Sequence, residues 1–276
     1  MQVIPHDRLS RIRHVALDMD GTLYRGSTLF PFTPAFLDRL TALGIGRTFL
    51  TNNSSRSRED YVKKLRGMGI AAEPDQVYTS AHATIDYLKR ERPELRRLHL
   101  IATASLRTEF AAAGFNVVDG DAEPDAVVVG FDMGMTYEML CRAAWWISKG
   151  KAFLATHPDR VCPTDQPTIL VDCGAICAAL ESATGRAPEA VPGKPDPRML
   201  TGILARHGLR PDELAMVGDR LYTDVAMAHR AGALGVLVLT GEATAAEAAK
   251  CPEPPDLVVP SVRELGEMLA EAGRKA

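Results

Sequence analysis

Short apolar runs recur along the chain, and segments with helical periodicity lie between them. The runs show no polar alternation, which is typical of strands buried on both faces of a parallel sheet. They lie at residues 15–17, 45–50, 98–102, 126–130, 152–156, 214–217 and 235–239. Helices are expected at 33–43, with Thr33 as the N-cap, and at 81–90, 137–148, 175–183, 197–207 and 262–272. This alternation predicts an α/β fold built on a doubly wound, Rossmann-like parallel sheet.

The pattern of strands and helices restarts near Ser80 with a complete set of its own elements. About 100 residues is a normal size for a separate domain. Residues 185–192 contain two prolines and a glycine, which is typical of a linker back to the first domain. We therefore expect a smaller α/β domain at 81–188, inserted into a core domain formed by residues 1–80 and 189–276.

The composition is that of an ordinary globular protein. Of the 276 residues, 46% are hydrophobic and 24% are charged, and the formal net charge is -3. The charges form no basic surface for a nucleic acid polymer and no polybasic patch for a membrane. No apolar run approaches the roughly 18 residues that span a bilayer, and the first residues lack the apolar core of a signal peptide. These features predict a cytoplasmic protein that binds neither a nucleic acid polymer nor a membrane.

The five cysteines are expected to be free thiols. Their number is odd, and no two of them form the Cys-x-x-Cys pair of a structural zinc site. A phosphatase with a cysteine nucleophile needs an arginine at the end of a short loop after the thiol, and none of the five has one there. That mechanism is excluded.

Two carboxylates and a glycine follow the first apolar run. Asp18 and Asp20 stand two residues apart at the carboxyl end of the predicted strand, where ligands bind in open α/β sheets. Gly21 allows the backbone to turn sharply behind them. Neighbouring carboxylates repel one another unless a cation lies between them, and a hard divalent ion suits them. These residues alone are equally compatible with an ordinary turn that is stabilised by aspartate side chains.

Three further clusters of polar side chains follow later in the chain. They are Thr51, Asn52 and Asn53; Lys194; and Asp219 with Asp224. The hydroxyl and amides of the first cluster precede a capped helix and suit an anion. The glycine and proline on either side of the lysine restrict its backbone, so its ammonium group can be held in one direction toward a ligand. Each cluster alone fits a solvated loop, but together they indicate one site at the strand ends of one sheet.

The chain resembles the haloacid dehalogenase (HAD) superfamily of aspartate-nucleophile phosphatases, whose four motifs it contains in the same order. They appear as Asp-Met-Asp-Gly-Thr-Leu at 18–23, Thr-Asn-Asn at 51–53, Lys194, and Gly-Asp-Arg-Leu-Tyr-Thr-Asp at 218–224. The large insert between the second and third motifs is similar to the type 2 cap of subfamily IIA. That subfamily includes nucleotide, phosphoglycolate, pyridoxal phosphate and 4-nitrophenyl phosphate phosphatases. The resemblance covers essentially the whole chain and implies Mg²⁺-dependent hydrolysis of a small phosphate ester.

The resemblance also implies a role for each motif. Asp18 would be the nucleophile that forms an aspartyl-phosphate, and Asp20 would protonate the leaving alcohol and then deprotonate the attacking water. Mg²⁺ would be held by Asp18, the backbone carbonyl of Asp20, Asp219 and, through water, Asp224. The phosphoryl oxygens would be bound by Thr51, Asn52, Asn53 and Lys194. The positive charge of the ion and the lysine would let a carboxylate attack an anionic ester.

Substrate choice is expected to come from the inserted domain, which would cover the site. Where relatives carry a loop with proline and glycine, this chain has Leu-Val-Asp-Cys-Gly-Ala-Ile at 170–176, so Asp172, Cys173 and Gly174 are candidate specificity residues. The carboxylate of Asp172 would repel an acidic substrate such as phosphoglycolate and could accept hydrogen bonds from hydroxyls or an amine. This favours a sugar, polyol or nucleoside monophosphate. The alternative is that Asp172 only packs the helix that follows.

The sequence is also compatible with other substrates and other functions. Phosphoglycolate and pyridoxal phosphate are the alternative substrates. A phosphate-sensing or scaffold protein with low turnover could keep the same aspartyl-phosphate site, and a mutase or phosphotransferase would share every catalytic residue. Relatives with this cap often pair through it, so the resemblance also implies a homodimer.

Overall fold

The strands and helices follow one another in the predicted alternating order. The structure is a computed structural model and describes residues 6–162 and 168–275. The strands are β1 (His14–Asp18), β2 (Tyr24–Arg25), β3 (Thr28–Leu29), β4 (Gly46–Thr51), β5 (Val77–Thr79), β6 (Arg97–Ile101), β7 (Asn116–Val117), β8 (Ala126–Val129), β9 (Ala152–Ala155), β10 (Val161–Cys162), β11 (Leu170–Val171), β12 (Leu214–Gly218), β13 (Leu234–Val238) and β14 (Leu257–Val259). The helices are α1 (His6–Leu9), α2 (Thr33–Ala42), α3 (Arg58–Gly67), α4 (Ser80–Glu91), α5 (Ala104–Ala112), α6 (Tyr137–Ser148), α7 (Cys173–Thr184), α8 (Arg198–His207), α9 (Ala226–Ala231), α10 (Ala245–Lys250) and α11 (Val262–Lys275).

The described residues form two compact units. The core unit comprises residues 6–51, 62–78 and 195–275, and the inserted unit comprises residues 52–61, 79–162 and 168–194. Each unit has a parallel sheet of its own. The boundaries at 81 and 188 that the sequence suggests stay a prediction.

A six-stranded sheet forms the centre of the core unit in the described part of the chain, in the order β14, β13, β12, β1, β4, β5. Strand β1 is parallel to both of its neighbours, β12 and β4. Its first four residues are buried, as are all five residues of β12 and of β13. The prediction that these strands are parallel and covered on both faces is therefore confirmed. As a consequence, the carboxyl ends of β4, β1 and β12 lie side by side at one sheet edge.

A four-stranded parallel sheet forms the centre of the inserted unit among the residues described, in the order β7, β6, β8, β9. Side chains of β8 and β9 alternate between two apolar clusters. Val128 and Leu154 pack with residues of α4 and α5 on one face, whereas Val127 and Phe153 pack with residues of α6 and α7 on the other. Helices on both faces explain why these strands are apolar throughout, and the smaller α/β layer that the sequence predicts is confirmed.

The prediction that Thr33 is the N-cap of α2 is wrong. Phe32 occupies that position, and its side chain makes no capping hydrogen bond. Thr33 is the first helical residue, and its buried hydroxyl donates to the carbonyl oxygen of Leu23 at 2.7 Å. The hydroxyl therefore satisfies a backbone carbonyl at the end of the β1 motif, and α2 begins without a side-chain cap.

The helices are short and amphipathic. The longest in the described part of the chain, α11, has 14 residues and buries Val262, Leu265 and Leu269 against the core unit. Its apolar face packs against α2 and α1. No described helix combines the length and the apolar character that crossing a bilayer requires.

Candidate active site

Asp18 and Asp20 lie at the carboxyl end of β1, as the sequence predicts. Asp18 is the last residue of the strand and is half-buried, whereas Asp20 is exposed. Gly21 then has a φ of 84°, and its N–H donates to the carbonyl oxygen of Tyr24 at 2.8 Å. A residue with a side chain rarely adopts that φ, and a Cβ there would overlap the carboxylate of Asp219. The tight turn therefore lies directly against Asp219.

Asp219 and Asp224 follow β12, the strand paired with β1. Gly218 ends the strand, and the chain then makes a wide helical turn at Leu221–Val225. The N–H of Arg220 donates to Oδ2 of Asp224 at 3.2 Å, which turns this carboxylate back toward the strand end. A Cβ on Gly218 would overlap that carboxylate, so the absence of a side chain at 218 provides the space for it.

The carboxylates of Asp18, Asp219 and Asp224 converge in the core unit. One oxygen from each lies within 4.8 Å of the other two. Asp219 and Asp224 are buried, which strengthens the mutual repulsion because water screens them less. A hard divalent cation with a preference for oxygen ligands relieves such repulsion. This donor set fits Mg²⁺, and these three residues would hold it.

A loop that the sequence analysis missed packs on Asp219. The N–H of Glu242 donates to Oδ2 of Asp219 at 2.8 Å, and the N–H of Ala243 donates to its backbone carbonyl at 3.0 Å. A Cβ on Gly241 would overlap the carboxylate. The loop thus fixes the orientation of Asp219. In the sequence, only the glycine that comes soon after the apolar run of β13 indicates this loop.

Arg220 was also missed, although it stands inside the last motif. Its Nε lies 2.9 Å from Oε2 of Glu242. Burial lowers the pKa of the guanidinium, but Tyr222 and the carboxylates of Glu242, Asp18 and Asp219 together raise it above its ordinary value. Arg220 therefore supplies a permanent positive charge beside the acid cluster.

Thr51 is the last residue of β4, on the other side of β1 from β12. In this pairing Leu50 stands opposite Asp18, so Thr51 lies just beyond the end of β1. The core unit therefore brings residues of three predicted motifs to the same edge of its sheet. A role for the Thr51 hydroxyl in binding phosphate stays a prediction.

Asn52 and Lys194 are joined within the inserted unit, although 142 positions separate them. Oδ1 of Asn52 accepts the backbone N–H of Lys194 at 2.8 Å, and Nδ2 donates to the Lys194 carbonyl at 3.0 Å. Lys194 is buried. A Cβ on Gly193 would lie 2.5 Å from the carbonyl oxygen of Thr156, so only glycine fits before the lysine. The backbone of Lys194 is thus tightly held, as its glycine and proline neighbours suggest.

Asn53 uses its side chain to order the loop that precedes α3. Its Oδ1 accepts the N–H of Ser55 at 2.9 Å and the hydroxyl of Ser55 at 2.6 Å. Its Nδ2 contacts Sγ of Cys162 at 3.6 Å. Because its side chain is engaged in this way, a contribution of Asn53 to phosphate binding would come from its backbone amide, and that contribution stays a prediction.

Asp172, Cys173 and Gly174 form the beginning of α7. Asp172 is the N-cap, and its buried carboxylate accepts the N–H of Cys173 at 2.6 Å. The thiol of Cys173 donates to the Val129 carbonyl at 3.2 Å, and a Cβ on Gly174 would overlap the Pro158 carbonyl. These contacts favour the alternative that Asp172 packs the helix. A contact between this segment and substrate stays a prediction.

The loop on Asp219 gives a direct test of the metal site. In Gly241→Ala the new methyl group would displace the Asp219 carboxylate. We expect the affinity for Mg²⁺, measured by isothermal titration calorimetry, to fall by about tenfold or more. Gly67→Ala is the control, because a Cβ at 67 meets nothing within 4 Å. Unchanged Mg²⁺ affinity in a folded Gly241→Ala protein would contradict the assigned role of the loop.

Comparison with known families supports the fold and the motifs together. Residues 15–116 match the haloacid dehalogenase-like hydrolase family, and residues 191–265 match a HAD-hydrolase-like family. The first match contains the β1 motif and Thr51, and the second contains Lys194, Asp219 and Asp224.

Individual relatives extend over nearly the whole chain. An acid sugar phosphatase from Staphylococcus aureus is 34% identical over 255 residues, which are 92% of this chain and 96% of that protein. The structure of a 4-nitrophenylphosphatase from Thermotoga maritima is 41% identical, with a TM-score of 0.89 over 94% of this chain and 98% of that one. A glycerol phosphate phosphatase from Mycobacterium tuberculosis, solved in complex with magnesium, is 31% identical, with a TM-score of 0.86 over 94% of this chain and 77% of that one. The chain therefore belongs to the haloacid dehalogenase-like hydrolases, in subfamily IIA with an inserted α/β cap, and it is a phosphatase.

Proposed function

We propose that the protein is a Mg²⁺-dependent phosphomonoester hydrolase that works through an aspartyl-phosphate on Asp18. The observation that carries the proposal is the convergence of Asp18, Asp219 and Asp224 at the carboxyl ends of two adjacent parallel strands. When bound there, Mg²⁺ supplies the positive charge that lets two anions, a carboxylate and a phosphate ester, approach one another. The magnesium complex of the glycerol phosphate phosphatase supports the choice of ion.

Asp18 and Asp20 are proposed to divide the chemistry between them. A carboxylate oxygen of Asp18 attacks phosphorus, and the bond from phosphorus to the ester oxygen breaks. Asp20 gives its proton to the departing alkoxide, then takes a proton from the water that attacks the aspartyl-phosphate. The exposure of Asp20, and its place outside the cluster of three carboxylates, support a side chain that exchanges protons and does not hold the ion.

The phosphoryl oxygens are proposed to be bound by Thr51, Asn52, Asn53 and Lys194. The two hydrogen bonds from Asn52 to the backbone of Lys194 support this role, because a fixed backbone limits the positions of the ammonium group and so reduces the entropy that is lost when it binds an anion. A sensing or scaffold protein, or a phosphotransferase, would use the same residues. Hydrolysis is favoured because the relatives are phosphatases.

The role of Asp18 is tested by Asp18→Asn, which keeps the size of the side chain and removes its charge. We expect Mg²⁺-dependent release of 4-nitrophenol from 4-nitrophenyl phosphate to fall by at least about a thousandfold. Asp38→Asn on the exposed face of α2 is the matched control and should keep the parent activity. An active Asp18→Asn protein, or a parent protein without Mg²⁺-dependent turnover, would contradict the proposal.

We propose that the substrate is a sugar, polyol or nucleoside monophosphate. The names of two relatives, an acid sugar phosphatase and a glycerol phosphate phosphatase, support phosphorylated polyhydroxy compounds. The carboxylate of Asp172 accepts a hydrogen bond at the start of α7. It therefore supports a polyhydroxy substrate less than the sequence suggests. Phosphoglycolate and pyridoxal phosphate are the alternatives. A cytoplasmic location stays a prediction.

A panel of phosphate esters separates these substrates. With saturating Mg²⁺, we expect kcat/KM for the best sugar or polyol phosphate to exceed that for phosphoglycolate and for pyridoxal phosphate by about tenfold or more. The readout is released inorganic phosphate, and the Asp18→Asn protein provides the blank. Phosphoglycolate or pyridoxal phosphate as the best substrate would overturn the proposed class.

We also propose that two copies pair through α6. Tyr137, Cys141 and Trp145 are exposed and stand four residues apart, so they form one stripe along this helix. Met133, just before the helix, is also exposed. Large apolar side chains that are grouped on one face are typical of a protein interface.

Trp145→Glu tests the pairing. We expect the parent protein to sediment as a dimer and the Trp145→Glu protein to sediment as a monomer in analytical ultracentrifugation, because a charge in the stripe would have to be desolvated. Ile169→Glu changes an exposed apolar residue of the inserted unit outside α6 and should remain dimeric. A monomeric parent or a dimeric Trp145→Glu protein would refute pairing through α6.

A further inference from the structure

A chain of polar groups, buried except at Asp159, runs through the inserted unit and ends on the backbone of Lys194. The imidazole of His157 is completely buried between two carboxylates. Its Nδ1 lies 3.5 Å from Oδ2 of Asp159, and its Nε2 lies 3.4 Å from Oδ1 of Asp172. Oδ2 of Asp159 in turn accepts a hydrogen bond from Nδ2 of Asn52 at 3.1 Å. Asn52 holds Lys194 through the two hydrogen bonds described above.

The position of His157 between two carboxylates favours the charged form of its ring. A neutral imidazole has one N–H and can satisfy one carboxylate, whereas an imidazolium has two and can satisfy both. The two distances are longer than those of tight hydrogen bonds, so the ring interacts with the acids chiefly through charge. Burial lowers the pKa of His157, whereas the carboxylates of Asp159 and Asp172 raise it, and the pKa lies above its ordinary value. One imidazolium therefore compensates the buried carboxylate of Asp172 and the half-buried carboxylate of Asp159.

Asp159 and the backbone of Lys194 together determine which way the amide of Asn52 faces. The two N–H groups of Nδ2 are used by the Asp159 carboxylate and the Lys194 carbonyl, and Oδ1 accepts the Lys194 N–H. If the amide were rotated by half a turn, Oδ1 would face two acceptors, and Nδ2 would face a donor. Such an arrangement loses all three hydrogen bonds. The carboxylate of Asp159 thus reinforces the orientation in which Asn52 clamps the lysine.

The backbone before Lys194 also lies against His157. A Cβ on Gly193 would lie 2.8 Å from Cβ of His157 and 2.9 Å from Oδ1 of Asn52. Gly193 therefore packs against both His157 and Asn52. A shift of His157 would change the packing of Gly193 as well as the electrostatic contact with Asp159.

We propose that His157 is a positioning residue for Lys194, acting through Asp159 and Asn52. The inference rests on the proposed function, in which the ammonium group of Lys194 binds the transferring phosphoryl group. His157 does not touch the substrate in this account. Its positive charge holds the carboxylate of Asp159 in place, and through Asn52 it holds the backbone of Lys194 in the position from which the side chain can act.

A double-mutant cycle on 4-nitrophenyl phosphate hydrolysis tests the catalytic half of the proposal. In the parent background, we expect His157→Gln to lower kcat/KM by about tenfold or more, because small displacements of a positioned group are costly. In a Lys194→Ala background, the same change should alter kcat/KM by less than about twofold, because nothing remains to be positioned. Asp159→Ala should behave like His157→Gln and serves if the latter folds poorly.

Hydrogen exchange tests the positioning half without relying on activity. The backbone amide of Lys194 should exchange at least about tenfold faster in His157→Gln than in the parent, because its acceptor on Asn52 is no longer fixed. His99→Gln is the matched control, since His99 is another buried histidine of the inserted unit, on β6. That variant can lower the melting temperature, but it should change neither kcat/KM nor exchange at Lys194.

The outcomes separate this inference from the proposed function. Equal losses of kcat/KM from His157→Gln in both backgrounds would show a general structural effect and overturn the inference. Unchanged exchange at Lys194 in folded His157→Gln and Asp159→Ala proteins would overturn it as well. A parent protein that lacks Mg²⁺-dependent hydrolysis would overturn the proposed function, and the exchange experiment would still decide whether His157 positions Lys194.

Discussion

The repulsion among three carboxylates is the constraint on which the rest of the site depends. Asp18, Asp219 and Asp224 are held within 4.8 Å of one another, and two of them are buried. Folding brings these charges together at a cost that a divalent cation can offset. The sheet, the glycines at 21, 218 and 241 and the loop that follows β13 all serve to hold the acids at this distance. Arg220 adds a permanent positive charge from the protein itself.

Much of this arrangement could be predicted because parallel strands end at one edge of their sheet. Apolar runs of five or so residues, each followed by acids or amides, give both the strands and the position of the site. The placement of Asp18, Asp219 and Asp224 followed from that rule, and the structure confirms their convergence. The family resemblance of the four motifs is confirmed by relatives that cover over nine tenths of the chain.

What could not be predicted depends on contacts between segments that are distant in sequence. The Gly241 loop and the pairing of Arg220 with Glu242 become visible only when β12 and β13 lie side by side. Thr33 resembles an N-cap locally, but its hydroxyl is used by Leu23. The contact of Asp172 with His157 likewise joins residues that are apart in the sequence, and a role of Asp172 in specificity stays a prediction. At Thr33 a tertiary partner overrides the local preference.

The central claim is that Asp18 becomes covalently phosphorylated during turnover. It is tested most directly by quenching the protein with substrate and Mg²⁺, reducing the acyl phosphate with borohydride and sequencing the peptides by mass spectrometry. The account predicts homoserine in place of aspartate at position 18 and at no other acidic position. Reduction at a different carboxylate, or none in a sample that is turning over substrate, would contradict it.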